Sequence, residues 1–239
     1  MCGEGKATEH PEQAREWAGY CRHYSDVATA RFEAAYAWLN AHELLEPGRM
    51  AAIGYCFGGN VVFSKALEGV ALDAVVSFHG SLPQDAVAQG TKVTARILVC
   101  TGGDDGLISD EPVATFQQNV RDAGADWQFI SYGGARHSFT NPDADKHGMA
   151  AIGYNAKADK RSWAAMLSLF AEIWQPDIRC RLLPIPAYLL VLLAFEVLSV
   201  TLLRPSSSMQ AVLILISLPR HGSPGGARSA RRRRTRRRR

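Results

Sequence analysis

The five cysteines of this 239-residue chain include no C-x-x-C pair, and their number is odd. Both features argue against a disulfide framework and against a zinc site, and they suit a reducing, cytoplasmic setting. No internal repeat is visible, which argues against a solenoid or array. The first residues lack the basic flank and apolar run of a secretory signal, so none is expected. Acidic residues are absent from 220–239, where ten arginines lie. Subtracting those ten from the 27 Lys and Arg leaves 17 against 23 Asp and Glu, so the rest of the chain carries −6 while the whole carries +4. The cationic character is therefore local. Such a tail attracts acidic lipid or nucleic acid only nonspecifically, with an affinity that falls as salt rises, and otherwise reads as a disordered, solvated end.

What is present is concentrated first in residues 52–59, Ala-Ile-Gly-Tyr-Cys-Phe-Gly-Gly. Residues 50–55 are apolar and short enough for a buried strand, and 60–67 resume with the longer side chains of a helix. The backbone must reverse sharply between them. Gly54 and Gly58, two residues either side of Cys56, remove the side chains that would collide there. G-x-C-x-G-G is the nucleophile elbow G-x-S-x-G with sulfur in place of oxygen. An isolated free cysteine is ordinarily a small buried hydrophobe. A thiol at a strand-to-helix turn instead stands at a helix N-terminus, where N–H groups and the helix dipole favour the thiolate.

An elbow of this kind requires an acid and then a histidine further along the chain. Residues 96–101 read as a buried strand, followed by Gly102-Gly103-Asp104-Asp105-Gly106, which sets carboxylates just past its carboxyl end. Residues 127–132 read as another strand, aromatic and β-branched, followed by a loop, 133–139, with one histidine, His137. Asp-Gly is also a common turn dipeptide, so Asp104 and Asp105 are both candidates at this point. Thiol, carboxylate and imidazole thus come from successive loops at one edge of one sheet.

Residues 1 to about 175 resemble the dienelactone hydrolase family of α/β-hydrolases, through GYCFGG around Cys56, GGDDGLIS around the acid and GGARHSFTNP around the histidine. The resemblance implies an α/β fold, an α/β-hydrolase-like, mostly parallel sheet flanked by helices. It places the acid on the fourth residue of the G-G-x-D stretch, Asp105. It implies that His137 draws the proton from Cys56, that Asp105 orients the ring, and that the thiolate attacks an ester or lactone carbonyl through an acyl-thioenzyme. The backbone N–H of Phe57 would be one oxyanion donor. This chemistry needs no metal or organic cofactor. Residues 1–6 (MCGEGK) resemble the family segment that follows the first few strands. The expectation is therefore an N-terminally truncated sheet without its opening strands, its second oxyanion donor and an upstream glutamate associated with the resting thiol. Weak activity follows from that.

The founding members grip a substrate carboxylate in part with an arginine shortly after the histidine. Here Ser138, Phe139, Thr140 and Asn141 follow, while Arg136 precedes. The expected substrate is accordingly a small carboxylic ester or lactone in general, with His79, in the loop after a strand at 74–78, and Tyr132 as candidate pocket residues beside Phe57, although Phe57 and Tyr132 read at least as well as core. Helices are expected at 11–20, 26–41, 111–123 and 160–174, the second with an apolar face of Val27, Ala30, Ala34, Ala35 and Leu39.

The division expected is a partial α/β domain over 1–175, a hydrophobic segment over 176–219 that is a candidate membrane anchor, and a polybasic tail over 220–239. Residues 182–203 give 22 predominantly apolar positions with Glu196 in the middle, and two prolines limit the regular helix to 17. A second apolar run, 209–218, is too short to cross a bilayer alone. The abrupt change after Gln175 is also what translation of a shifted frame or an unspliced segment gives. The second class of function open to this chain is a noncatalytic remnant bound to membranes or anionic surfaces.

Overall fold

The strands are built by side chains that alternate between two cores. In a computed structural model, which describes residue 8 and residues 10–23, 25–43, 45–174 and 213–219, β1 (Leu45–Tyr55) sends Met50 and Ala52 to one core and Ala51, Ile53 and Tyr55 to the other. The period of two is what a strand buried on both faces requires. β2 (Ala74–Phe78) and β3 (Arg96–Gly102) repeat it, with Val75, Ile97 and Val99 on one side and Val76, Phe78, Leu98 and Cys100 on the other. These strands and β4 (Trp127–Tyr132) run parallel, and β5 (Leu213–Pro219) lies antiparallel to β1, giving the order β4-β3-β2-β1-β5.

Helices cover both faces of the sheet, as strands buried on both sides require. On one face lie α1 (Pro11–His23), α2 (Ser25–Ala41), α3 (Phe57–Leu67) and α4 (Asp110–Asp122), contributing Cys21, Phe32, Val62, Phe63, Phe116 and Val120 to the core. The other face is covered by α5 (Ala156–Ile173), through Ala158, Met166 and Phe170. Asn155 caps α5 by accepting from the N–H of Ala158 at 3.1 Å, and Trp174 at its end donates to Asp73 at 2.8 Å.

Several expectations shift, with β1 beginning at Leu45 and α5 at Ala156, ahead of the bounds read from the sequence. The buried row of α2 is Ala28 and Phe32, with Tyr36 and Leu39 half-buried, whereas Ala30, Ala34 and Ala35 face solvent. Small side chains set the apolar count of that helix, but the large ring of Phe32, whose burial is worth roughly 2–3 kcal/mol, sets its orientation. Helix α3 starts at Phe57, directly after the cysteine, so Gly58 and Gly59 belong to its first turn. The stretch 213–219, from the hydrophobic segment assigned to 176–219, is an edge strand. It pairs Ala51 with Ile216 and Gly54 with Leu213. The apolar stretch 182–203 and the tail 220–239 lie outside the described residues, among which no helix is long and apolar enough to cross a membrane.

Candidate active site

Four loops leave the carboxyl ends of β1 to β4 and meet at one edge of the sheet, the place where open α/β sheets assemble their sites. The first is a single residue. Cys56 joins β1 to α3 with φ 52° and ψ −120°, a left-handed backbone that a non-glycine residue enters only under strain. Its N–H still donates to the carbonyl of Phe78 at 3.1 Å, and the N–H of Gly59 donates back to its carbonyl at 3.1 Å. Gly54 makes the reversal possible, because a Cβ there would stand 2.2 Å from the carbonyl carbon and oxygen of Gly58. Gly59 is constrained equally from the other side, where a Cβ would stand 2.1 Å from Ser77 Oγ and 3.0 Å from Gly80 Cα.

The loop after β3 carries two carboxylates. Asp105 is buried, and Asp104 beside it is exposed. One Asp105 oxygen accepts from the N–H of Leu107 at 3.0 Å, and the other lies 2.9 Å from Nδ1 of His137. The loops after β3 and β4 touch so closely that a Cβ on Gly102 would lie 2.3 Å from the carbonyl oxygen of Ala135. The N–H of Asp104 donates to that same carbonyl at 2.9 Å.

His137 is held at both its ring and its backbone. Nε2 lies 3.3 Å from Cys56 Sγ, so one imidazole bridges thiol and carboxylate. Its N–H donates to Ala151 at 3.2 Å, and its carbonyl accepts from Gly153 at 3.0 Å, forming a short parallel bridge with Ile152. Arg136 secures that segment, donating to the carbonyl of Ala150 at 3.1 Å and to Asp145 at 3.0 Å. Its guanidinium is thus engaged by the 145–150 stretch.

The electrostatics follow from these contacts. Burial alone would pull the His137 imidazolium down, but the hydrogen bonds to Asp105 and Cys56 and the negative charge of both outweigh it and push the ring up to about 10. Both contacts favour the protonated form of the ring. His79, the residue after β2, is buried with its ring centroid 5.1 Å from that of His137 at 66°. Burial, and then the charge of His137, hold it well below the usual histidine range, so it is neutral. Its Nε2 is 2.8 Å from Thr140 Oγ1.

Tyr132 and Phe57 sit in the two cores. The hydroxyl of Tyr132 is 3.8 Å from Cys100 Sγ, and burial pushes that thiol up to about 12 and raises the phenol. Phe57 opens α3, which sets its backbone N–H in the first helical turn beside Cys56. Among the described residues no group of three or more His, Cys, Asp or Glu side chains is placed to hold a metal ion. Thr140 and the 150–153 segment were not singled out by motif. Thr140 does lie inside the GGARHSFTNP stretch, but only its pairing across the fold with His79 gives it a role.

A mostly parallel sheet flanked by helices, with a cysteine at the strand-to-helix turn, defines an α/β-hydrolase-like protein. The sequence profile of the dienelactone hydrolase family matches residues 2–174, and the chain belongs to that family. It is 34% identical to an uncharacterised protein of Caenorhabditis elegans over 146 residues, 59% of this chain and 91% of that one. It is also 31% identical over 132 residues, 52% of this chain, to a Salmonella typhimurium protein that carries the provisional name carboxymethylenebutenolidase. The chain spans 46% of that bacterial relative's length. Among solved structures it resembles m3DLH, at 37% identity and a TM-score of 0.67 over 72% of this chain and 71% of that one. A dienelactone hydrolase-like promiscuous phosphotriesterase from metagenomic libraries is similar at 36% identity and a TM-score of 0.62, over 67% and 68% of the two chains.

Proposed function

We propose that this chain hydrolyses small carboxylic esters or lactones, with Cys56 as nucleophile, His137 as proton carrier and Asp105 as the carboxylate that orients the ring. The single observation that carries the reading is the continuous contact from Sγ through the imidazole to the carboxylate, at 3.3 Å and 2.9 Å. Family membership and the name borne by the bacterial relatives support the substrate class.

In this reading the reacting form is a Cys56 thiolate beside a His137 imidazolium. Sulfur attacks the carbonyl carbon, a C–S bond forms, and the carbonyl electron pair moves to oxygen. The Phe57 N–H, beside the thiol at the start of α3, is the assigned donor to that oxyanion, and loss of one such donor typically costs about 10²–10³ in rate. As the carbonyl re-forms, the C–O bond to the alcohol breaks and the departing oxygen takes the proton from Nε2. In a lactone this oxygen stays attached to the acyl chain. The now neutral ring takes a proton from water, the resulting hydroxide adds to the thioester, and collapse frees the acid and restores the thiolate. Asp105 accepts from Nδ1–H throughout and stabilises the imidazolium at each end of the cycle.

Arg136 is committed to Asp145 and Ala150, and residues 138–141 hold no cation. The histidine loop thus provides no counter-charge for a substrate carboxylate, which favours uncharged esters and lactones over dienelactone. A noncatalytic remnant is the less favoured reading, because it gives no account of a buried carboxylate aligned on a histidine that also meets a cysteine. The test is hydrolysis of p-nitrophenyl acetate together with intact-mass detection of an acetyl group on Cys56. Cys56→Ala and His137→Ala are expected to fall to background. Parent-like turnover in either variant refutes the assignment.

A further inference from the structure

His79 takes no part in the steps above, yet it occupies the centre of the loops that supply them. It is the first residue past β2, between the strand that carries the thiol and the strand that leads to the acid. Its backbone has φ 44°, left-handed for a side chain that is neither Gly nor Asn, and such conformations cost roughly 1 kcal/mol or more. A glycine would turn the chain there without strain, and Gly80 follows immediately. What the strain sustains is therefore the imidazole. That ring is buried, meets His137 at 66° and Phe139 edge-on at 5.4 Å, and reaches Thr140, three residues beyond His137.

We propose that His79 is a positioning residue: hydrogen-bonded to Thr140 Oγ1 and set edge-on against His137, it holds the catalytic imidazole in the one orientation that reaches Cys56 and Asp105 together. The inference rests on the triad reading given above. The backbone of His137 is anchored by Ala151 and Gly153, but those bonds leave its ring free to turn about the bond to Cβ. Asp105 restrains one nitrogen and Cys56 the other, each through a single contact. His79 adds the lateral wall. Because its Nε2 is tied to the same loop that carries His137, wall and ring keep their register. A phenyl ring would fill the space but lose the tie. A second charged imidazole would repel the first, which is why the neutral state suits this place.

The titratable groups facing His137 are Cys56 from the β1–α3 turn, Asp105 from the loop after β3 and His79 from the loop after β2, so its titration is a readout of their alignment. The experiment measures carbamidomethylation of Cys56 by iodoacetamide across pH, steady-state hydrolysis of p-nitrophenyl acetate, and thermal unfolding. The proteins are the parent, His79→Ala, His79→Phe, Thr140→Val and His137→Ala.

Misalignment of a reacting group by an ångström costs about a hundredfold, so His79→Ala is expected to lose about ten- to a hundredfold in kcat with KM within about twofold. Its alkylation profile should shift toward that of an ordinary thiol. His79→Phe and Thr140→Val, which keep volume and lose only the tie, are expected to lose about three- to tenfold with the same profile shift. Folded variants with parent-like kcat and alkylation profile overturn the inference, as does a raised KM at unchanged kcat, which would make His79 a wall of the substrate pocket. If His79→Ala does not fold, Thr140→Val decides. A profile that moves in His137→Ala but not in the His79 and Thr140 variants sinks this inference alone, whereas one unmoved in His137→Ala sinks the triad reading with it.

Discussion

Replacing Gly54 by alanine is expected to disable the site without touching any reacting group. A methyl carbon at this position would stand 2.2 Å from the carbonyl carbon and oxygen of Gly58 and 2.4 Å from the nitrogen of Gly59, all backbone atoms with no rotamer in which to escape. Contacts under 3.0 Å are essentially never seen for a Cβ, so β1 and the first turn of α3 must separate by at least 0.8 Å, the difference between 2.2 Å and 3.0 Å. Cys56 is the one residue between them. Taken along the S···N direction, that displacement would stretch the 3.3 Å contact with His137 to about 4.1 Å, which on the usual sensitivity of reacting geometry costs about a hundredfold in rate. Gly54 is also paired on both sides, with Ser77 of β2 and Leu213 of β5, so the strand cannot yield alone, and overpacking of this kind costs about 1–3 kcal/mol. Ester turnover, Cys56 alkylation and thermal unfolding are the assays. Gly106→Ala serves as the control, since a methyl there meets nothing within 4 Å although it neighbours the acid. If Gly54→Ala turns over and melts like the parent, the tight elbow described here is wrong.

Gly59→Ala should destabilise the protein through contact with Ser77 Oγ, a flexible side-chain atom with no hydrogen-bond partner among the described residues, so Ser77→Ala should restore much of the loss; a double-mutant cycle in urea with no coupling refutes this. His137 is raised from 6.5 to about 10 on folding, so its contribution to stability is complete below about pH 6.5 and is lost as pH rises through about 10. Urea melts at pH 6.5 and pH 10 should show a loss in the parent that is smaller in His137→Gln, by no more than about 5 kcal/mol, and an equal loss in both proteins contradicts the shift. Brief alkylation of the native protein near pH 7, read by peptide mass, should label Cys56 far ahead of Cys100, which is buried and pushed up to about 12; the reverse order would place the reactive thiol elsewhere.

What could be read in advance was local. Strands 74–78 and 127–132 match their apolar and aromatic runs residue for residue, the first buried throughout and the second, at the end of the sheet, half-buried with Gln128 and Ser131 exposed. The loops bearing Cys56, Asp105 and His137 were visible because glycine pairs mark them and chain order separates them. What was not visible depends on partners distant in sequence. The choice between Asp104 and Asp105 from residues alone was even, and only the family motif separated them; burial beside His137 is a property of the fold. Arg136 turns to Asp145 because the 145–153 segment folds back beneath the histidine, a contact no local pattern announces. The edge position of 213–219 on β1 has no signal in its own residues, which read equally well as any short apolar run. Gly59 is a glycine because Ser77 and Gly80, 18 and 21 residues on, occupy its side-chain space.

Backbone strain links these separate facts. Among the described residues, the non-glycine positions with positive φ are Cys56, His79 and Ser138, at 52°, 44° and 60°, and they stand after β1, after β2 and in the loop after β4. Each costs of order 1–3 kcal/mol and each persists only where the surroundings over-determine it. The surroundings here are two cores on opposite faces of one sheet, with β1 and β2 ending at the paired Tyr55 and Phe78 and β3 and β4 running two residues further, to Gly102 and Tyr132. Had the strain been scattered, it would speak only of crowded turns. Gathered around one imidazole, with Cys56 at its Nε2, His79 in edge contact with it and Ser138 next in the chain, it is the conformational cost of presenting the imidazole to a thiol and a carboxylate from opposite sides.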